Sequence, residues 1–317
     1  MAIEAIALDA PVAAGQAEDD VAQVLGAVAA DAQSHLEVLG GVWEPPPRPD
    51  EQGPAQDAAG TSVGDDRGEG DGDNGEGDDG GAHPGILVAG GLAGPAGAGA
   101  RDEADNEDAD NTGDGATDPD EVLTLLETTS PGLRADLETI DGDLARLLTS
   151  ISVNQDLHAR NLREALELDP LEAPGLPDDP FPAELDEQEA APLIRMLDAS
   201  GYVAEVRAAR SSGDQRTALV EQAQRMREQA ELLAVRTGVA ATEQDPRAPA
   251  YELDLQDLAG QAEDLARSGV PAWMNLVAGA EGSDRDLIAT QVLLNARGVY
   301  DGSEPPPTFP GLAGVGE

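Results

Sequence analysis

The chemistry this chain could do rests on three histidines set among 64 acidic side chains, and only one of the histidines has a suggestive setting. His158 follows Gln155 by three residues in the run LLTSISVNQDLHARNL. Ile151, Gln155, His158, Leu162 and Ala165 share one face of a helix, so this pair points into a core. Helical bundles build dinuclear metal centres from inward carboxylates and Glu-x-x-His steps on facing helices. Here the three-residue step is present but the carboxylate is not: a neutral amide stands where a hard metal wants Glu. The expectation is therefore a packing histidine, hydrogen-bonded to Gln155 or to a polar group across the core. His158 with Gln155 is the weak candidate metal position, and no catalytic or cofactor-binding residue is assigned. His35 and His83 have Ala32 and Gly80 three residues before them, so neither completes the motif.

Other chemistries lack their required parts. The Asp/Gly run over 65–80 invites a calcium loop, which needs a Gly at the sixth position and a Glu at the twelfth. Counting from Glu69, those positions hold Asn74 and Gly80, and helical flanks are missing. Without Cys there is no disulfide, thiolate catalysis, Cys-ligated zinc or lipid-modified Cys in the chain as given. Ser and Thr are plentiful, but only one His falls on the C-terminal domain to serve them as a base. No phosphate-cradling Gly loop joins a strand to a helix. All 18 basic residues are Arg, and the net charge is −46. Such a surface repels phosphate backbones, so nucleic acid is excluded as a partner. Basic proteins or cations are the partners that charge invites. No stretch of 18 apolar residues is present, and the opening MAIEAIALDAP lacks the basic start of a signal peptide.

The elements that must position His158 are helical. With aromatics at 2%, the core has to come from Leu, Val, Ile and Ala. Val21, Leu25, Val28, Ala32, Leu36 and Leu39 form the apolar stripe of an N-terminal helix that stops at Gly40-Gly41. The Pro cluster of GVWEPPPRP ends that segment, with Trp43 expected to pack back on the bundle. Residues 44–117 are Gly-, Asp- and Ala-rich with few branched apolar residues, and are expected to be a disordered acidic linker. Asp118-Pro119-Asp120-Glu121 combines three helix-start signals, and Ser130-Pro131 is expected to restart a helix. The apolar phase then runs through Asp141-Gly142, predicting one continuous helix over 131–166. A Pro-rich crossover over 169–182 precedes helices over 186–211, 214–237 and 254–278, and a last helix that begins at Ser283. Gly201, Ala204 and Ala208 line the inner face of the first of these. Glu221 with Arg225 and Arg227 with Glu231 are expected to pair across one helical turn. The resulting division is an amphipathic N-terminal helix (1–43), the linker (44–117), an antiparallel all-α bundle of four or five helices (118–300) and a loose Pro/Gly-rich tail (301–317).

From Leu193 the order of segments carries a resemblance. LIRMLDASGYVAEVRAARSSGDQRTALVEQAQRMREQAELLAVR, then DPRAPAYELD, then LARSGVPAWMNLVAGAEGSDRDLIATQVLLNARGV, resemble an actinobacterial family with a ferritin-like domain of unknown function. LLTSISVNQDLHARNL and GGVWEPPPR resemble further segments of such proteins. The resemblance implies a ferritin-like bundle in a secreted or lipid-anchored protein, whose true start would then lie upstream of this one. Members of that family commonly carry a Glu-His pair one to two turns before a Tyr. With Tyr202 anchoring the match, Arg195 and Met196 stand there instead. The expectation is a non-enzymatic, envelope-associated binding or structural module. Two alternatives remain: a metal-binding or oxidase protein using His158, and a scaffold whose acidic linker engages a basic partner.

Overall fold

Leu-, Val- and Ala-rich stripes of helical period have to be covered by one another, and the chain does this with helices alone. The computed structural model describes residues 2–41, 118–177, 179, 181–182, 184–303 and 305–313. Among these the helices are α1 (Ala2–Ala14), α2 (Asp19–Val38), α3 (Pro119–Arg134), α4 (Gly142–Ala165), α5 (Glu187–Ala209), α6 (Gly213–Arg236), α7 (Leu258–Gly279) and α8 (Gly282–Tyr300). No strand is found among the described residues. They all belong to one unit. The expected linker, the calcium-loop reading, His83 and the docking of Trp43 lie outside the described residues.

The all-α expectation holds, and several boundaries follow the start and stop chemistry. Asp118 caps α3 by accepting from the Asp120 amide, and Asp186 caps α5 by accepting from those of Gln188 and Glu189. Gly40 and Gly41 take positive φ just beyond α2, where a Cβ would be strained. Other expectations fail for stated reasons. The opening Ala2–Ala14 is itself a helix: Ile3, Ile6, Ala10 and Ala13 recur at helical spacing and are buried against α2. The N-terminal segment is thus a hairpin of two helices rather than a single one.

The long helix expected over 131–166 is broken. Pro131 lies inside α3, which runs on to Arg134, and a 3-10 turn at Leu137–Thr139 separates it from α4. Asp141 caps α4 by accepting from the Asp143 amide, so the Asp-Gly step is a helix start and not an internal interruption. Gly142 is required there: a Cβ on it would run into the backbone carbonyl of Ala278. Helix α7 starts one turn later than expected, with Asp257 as its cap, and Leu255 stays exposed. Arg227 pairs with Glu205 and Asp198 of α5 instead of Glu231, which is held by Arg247 of the following loop. Arg227 can reach α5 because Gly201 lies against the α6 backbone, where a Cβ would stand 3.2 Å from the Ala223 oxygen.

Helix α4 is the organising element. Thr149 through Ala159 are buried without a break, so no face of this stretch meets water. One apolar cluster takes Ala145, Val153 and Leu157 together with α5–α8; the other takes Ile151, Ala159 and Leu162 together with α1–α3. Because α4 is covered on all sides, its polar residues can bond only to neighbouring chain, and most of them do. Ser152 bonds Ser130 of α3, and Asp156 accepts both Arg297 contacts from α8 at 2.6 and 2.7 Å. Ser150 donates to the Pro310 carbonyl and Asn161 to that of Ser303. The segment after α8, expected to be loose, is therefore laid along α4, with Phe309 buried in the N-terminal core.

Candidate functional site

His158 sits where the face analysis places it, at 1% exposure, but its partner comes from elsewhere in the chain. Its Nε2 donates to Asp31 Oδ2 on α2 at 2.8 Å. The same oxygen accepts from Asn154 Nδ2 at 2.7 Å, and Oδ1 accepts from the Thr308 hydroxyl at 2.7 Å. His35, one turn after Asp31, donates from Nε2 to the Thr308 carbonyl at 2.9 Å and meets the Phe309 ring edge-on. Asn154 also donates to the Pro307 carbonyl. One buried carboxylate thus joins α2, α4 and the C-terminal segment. Gln155 does not bond His158: both of its amide atoms are buried without a hydrogen-bond partner, as is His158 Nδ1. His158 also lines a recess of about 40 Å³ between α2 and Pro305-Pro306, room for only a few waters.

This geometry reads as a clamp. Both oxygens of Asp31 are already taken by donors, and among the described residues no three His, Cys, Asp or Glu side chains are grouped to hold a metal ion. Burial pushes the Asp31 carboxyl upward, but the bonds from His158, Thr308 and Asn154 outweigh it and hold it below the ordinary 3.8. Burial also keeps His35 below its ordinary 6.5, against the raising effects of the Thr308 carbonyl and the Asp31 charge. Both shifts make acid destabilising. Once pH falls below 6.5 the unfolded chain takes a proton on His35 that the folded chain refuses; below 3.8 the Asp31 contribution is lost as well. The urea midpoint is accordingly expected to fall between pH 7.5 and 5.5, and to fall less in His35→Gln. An equal slope in the two proteins would remove His35 from the account.

The second feature is a groove of about 390 Å³ with walls from α5, α6, α7 and α8. Met196, Ser200, Ala204 and Arg207 follow one face of α5, and Gln222, Met226 and Gln229 one face of α6. Ala262, Ala266 and Trp273 come from α7, and Gln291, Asn295 and Val299 from α8. Phe181 of the crossover stacks on Trp273 with centroids 5.5 Å apart. The crossover is held in place by Arg236, which donates to the Phe181 and Pro182 carbonyls and pairs with Asp179. Behind the groove, Asp198 joins Arg227 to the Tyr251 hydroxyl at 2.8 Å, fixing the α6–α7 connection against α5. Burial, and then that bond, push the Tyr251 phenol up to about 12. The walls are thus tied together by these charged bonds, and the groove lining is mainly apolar and amide, with Ser200 and Arg207 from α5.

Face analysis of 151–165 found His158 and missed Asp31 and His35. A signal existed: Val24, Val28, Asp31 and His35 lie on one helical face at spacings of 4, 3 and 4, so an Asp and a His flank the apolar stripe of α2. The groove was not foreseen, because its residues read individually as ordinary core positions. A scan of family models, a search of curated proteins and a search of solved structures each return no match, so the resemblance drawn from the sequence gains no support from them.

Proposed function

We propose that this protein is a non-enzymatic binding module, a ferritin-like bundle that uses the groove between α5, α6, α7 and α8 to hold an apolar small molecule. The observation that carries the reading is the groove itself. Its volume of about 390 Å³ lies within the range of small-molecule sites, and its lining is mainly apolar with a few convergent amides. The Phe181–Trp273 stack closes one end with flat apolar surface. The ferritin-like arrangement and an envelope-associated setting rest on the sequence resemblance. In this reading the Asp31–His158 cluster is structural, holding the N-terminal hairpin and the C-terminal segment to α4.

Nile red, a neutral dye whose emission reports apolar surroundings, tests this directly. One dye is expected to bind per chain, and Ala262→Trp or Gln222→Trp, each filling the groove from a half-buried wall position, is expected to abolish the binding. Helical circular dichroism should be unchanged in both variants. Dye binding that is absent from the native protein, or that survives both substitutions, overturns the reading.

A further inference from the structure

The groove has a charged end. Arg207 lines it, half-buried, and no carboxylate, carbonyl or hydroxyl among the described residues meets its guanidinium. Every other buried or half-buried Arg among the described residues has a hydrogen-bond or ion-pair partner. In a chain of 64 acids and 18 Arg, a half-buried guanidinium on the groove wall without a carboxylate is out of keeping with the other buried and half-buried Arg among the described residues. The guanidinium is only half-buried, so its N–H groups stay open to an anion that enters the groove.

The antiparallel pairing of the helices shows what lies around it. Arg227 of α6 pairs with Glu205, and Arg210 donates to the Leu255 carbonyl just before α7. A Cβ on Gly269 of α7 would touch Met196 of α5 and Asn295 of α8. These contacts set the registers, so Gln222, Ala262 and Val299 stand at the Arg207 end of the groove. The same registers put Gln229, Trp273 and Gln291 at the Met196 end. Met196 and Arg207 are about 16 Å apart along α5 at about 1.5 Å per residue, a span that an extended chain of about ten carbons largely fills. The cavity is therefore long, mainly apolar with amides along its walls, aromatic at one end and cationic at the other.

Resting on the binding reading above, we infer that the ligand is an unbranched fatty carboxylate, its headgroup held by Arg207 and its chain laid toward the Phe181–Trp273 stack. A guanidinium takes a carboxylate through two parallel N–H bonds, and the Gln222 amide stands at the same level to supply another donor. The net charge of −46 disfavours collecting anions at long range. Selection has to come from this local contact together with burial of the chain. A compact ring acid would leave the far end of the groove unfilled.

Decanoate and decanol separate the headgroup from the chain. In a Trp43→Phe background Trp273 is the only indole, and its emission reports occupancy of the groove. Decanoate is expected to bind more tightly than decanol. Arg207→Met is expected to weaken decanoate by about tenfold or more, the worth of a charged hydrogen-bond pair, while leaving decanol unchanged. Arg207→Lys should restore part of the loss, since it keeps the charge without the planar fork. Equal binding of the two ligands, or decanoate binding untouched by Arg207→Met, overturns the inference and leaves the groove reading standing. Failure of both ligands and of Nile red overturns the two together.

Discussion

Asp31→Ala is expected to lower the unfolding free energy by about 2–5 kcal/mol, because truncation leaves buried donors without their acceptor at about 1–3 kcal/mol each. Three donors converge on this carboxylate: His158 Nε2, Asn154 Nδ2 and the Thr308 hydroxyl. After truncation the imidazole is left in a site that is 1% exposed, with Nδ1 already unpartnered. The asymmetry of hydrogen-bond energetics sets the size: a bond exchanged with water is worth about 1 kcal/mol, whereas an orphaned buried group costs its full desolvation. Asp31→Asn should cost less, since one oxygen remains to accept. Urea unfolding by circular dichroism gives the number, and amide exchange at 308–312 should accelerate in the Ala variant as the segment loses its anchor. A loss under about 1 kcal/mol with unchanged exchange would mean that the cluster is not a clamp.

Arg285→Met is expected to cost about 3 kcal/mol or more, for a related reason. Arg285 is 6% exposed and donates to the carbonyls of Ala280, Leu137 and Ile140 at 2.6–2.7 Å. It holds the turn between α7 and α8 against the connection that leads into α4. Met has similar bulk, so packing is largely kept and the loss falls on three carbonyls without donors, each costing about 1–3 kcal/mol when buried. Arg267→Met is the control. Arg267 is exposed and meets Glu263 and Asp264 only at 3.5–4.0 Å, and surface pairs of that kind contribute about 0–1 kcal/mol. Similar urea midpoints for the two variants would show that the Arg285 bonds do not bear on stability.

How far the fold could be read from residues varies with the physics of each element. Helix starts were legible where a capping side chain and the helical period agree, as at Asp118 and Asp186. They were misread where the apolar period carries across a break. From Leu137 through Ile151 that phase continues past Asp141-Gly142, yet the chain turns there because Gly142 alone can lie against the Ala278 backbone. That contact joins residues far apart in sequence, so no local pattern announces it. Arg227 gives the same lesson in charge: its helix offers Glu231 at i+4, but α5 comes close enough over Gly201 to supply two carboxylates instead. For the C-terminal segment, Pro and Gly content pointed to looseness. The backbone carbonyls of Pro307, Thr308 and Pro310 decide otherwise, because buried side chains of α2 and α4 require acceptors.

Composition and periodicity by themselves determined that this protein is helical, that its core is aliphatic and that His158 faces inward. Those properties depend on residue type and on spacing within one helix, which is local information. Only the tertiary structure decided that His158 answers to Asp31, 127 residues away, and that Arg207 faces the groove with no acid beside it among the described residues. A partner across a core is chosen by which helices pack and in what register. That choice is the joint outcome of every apolar stripe being covered at once.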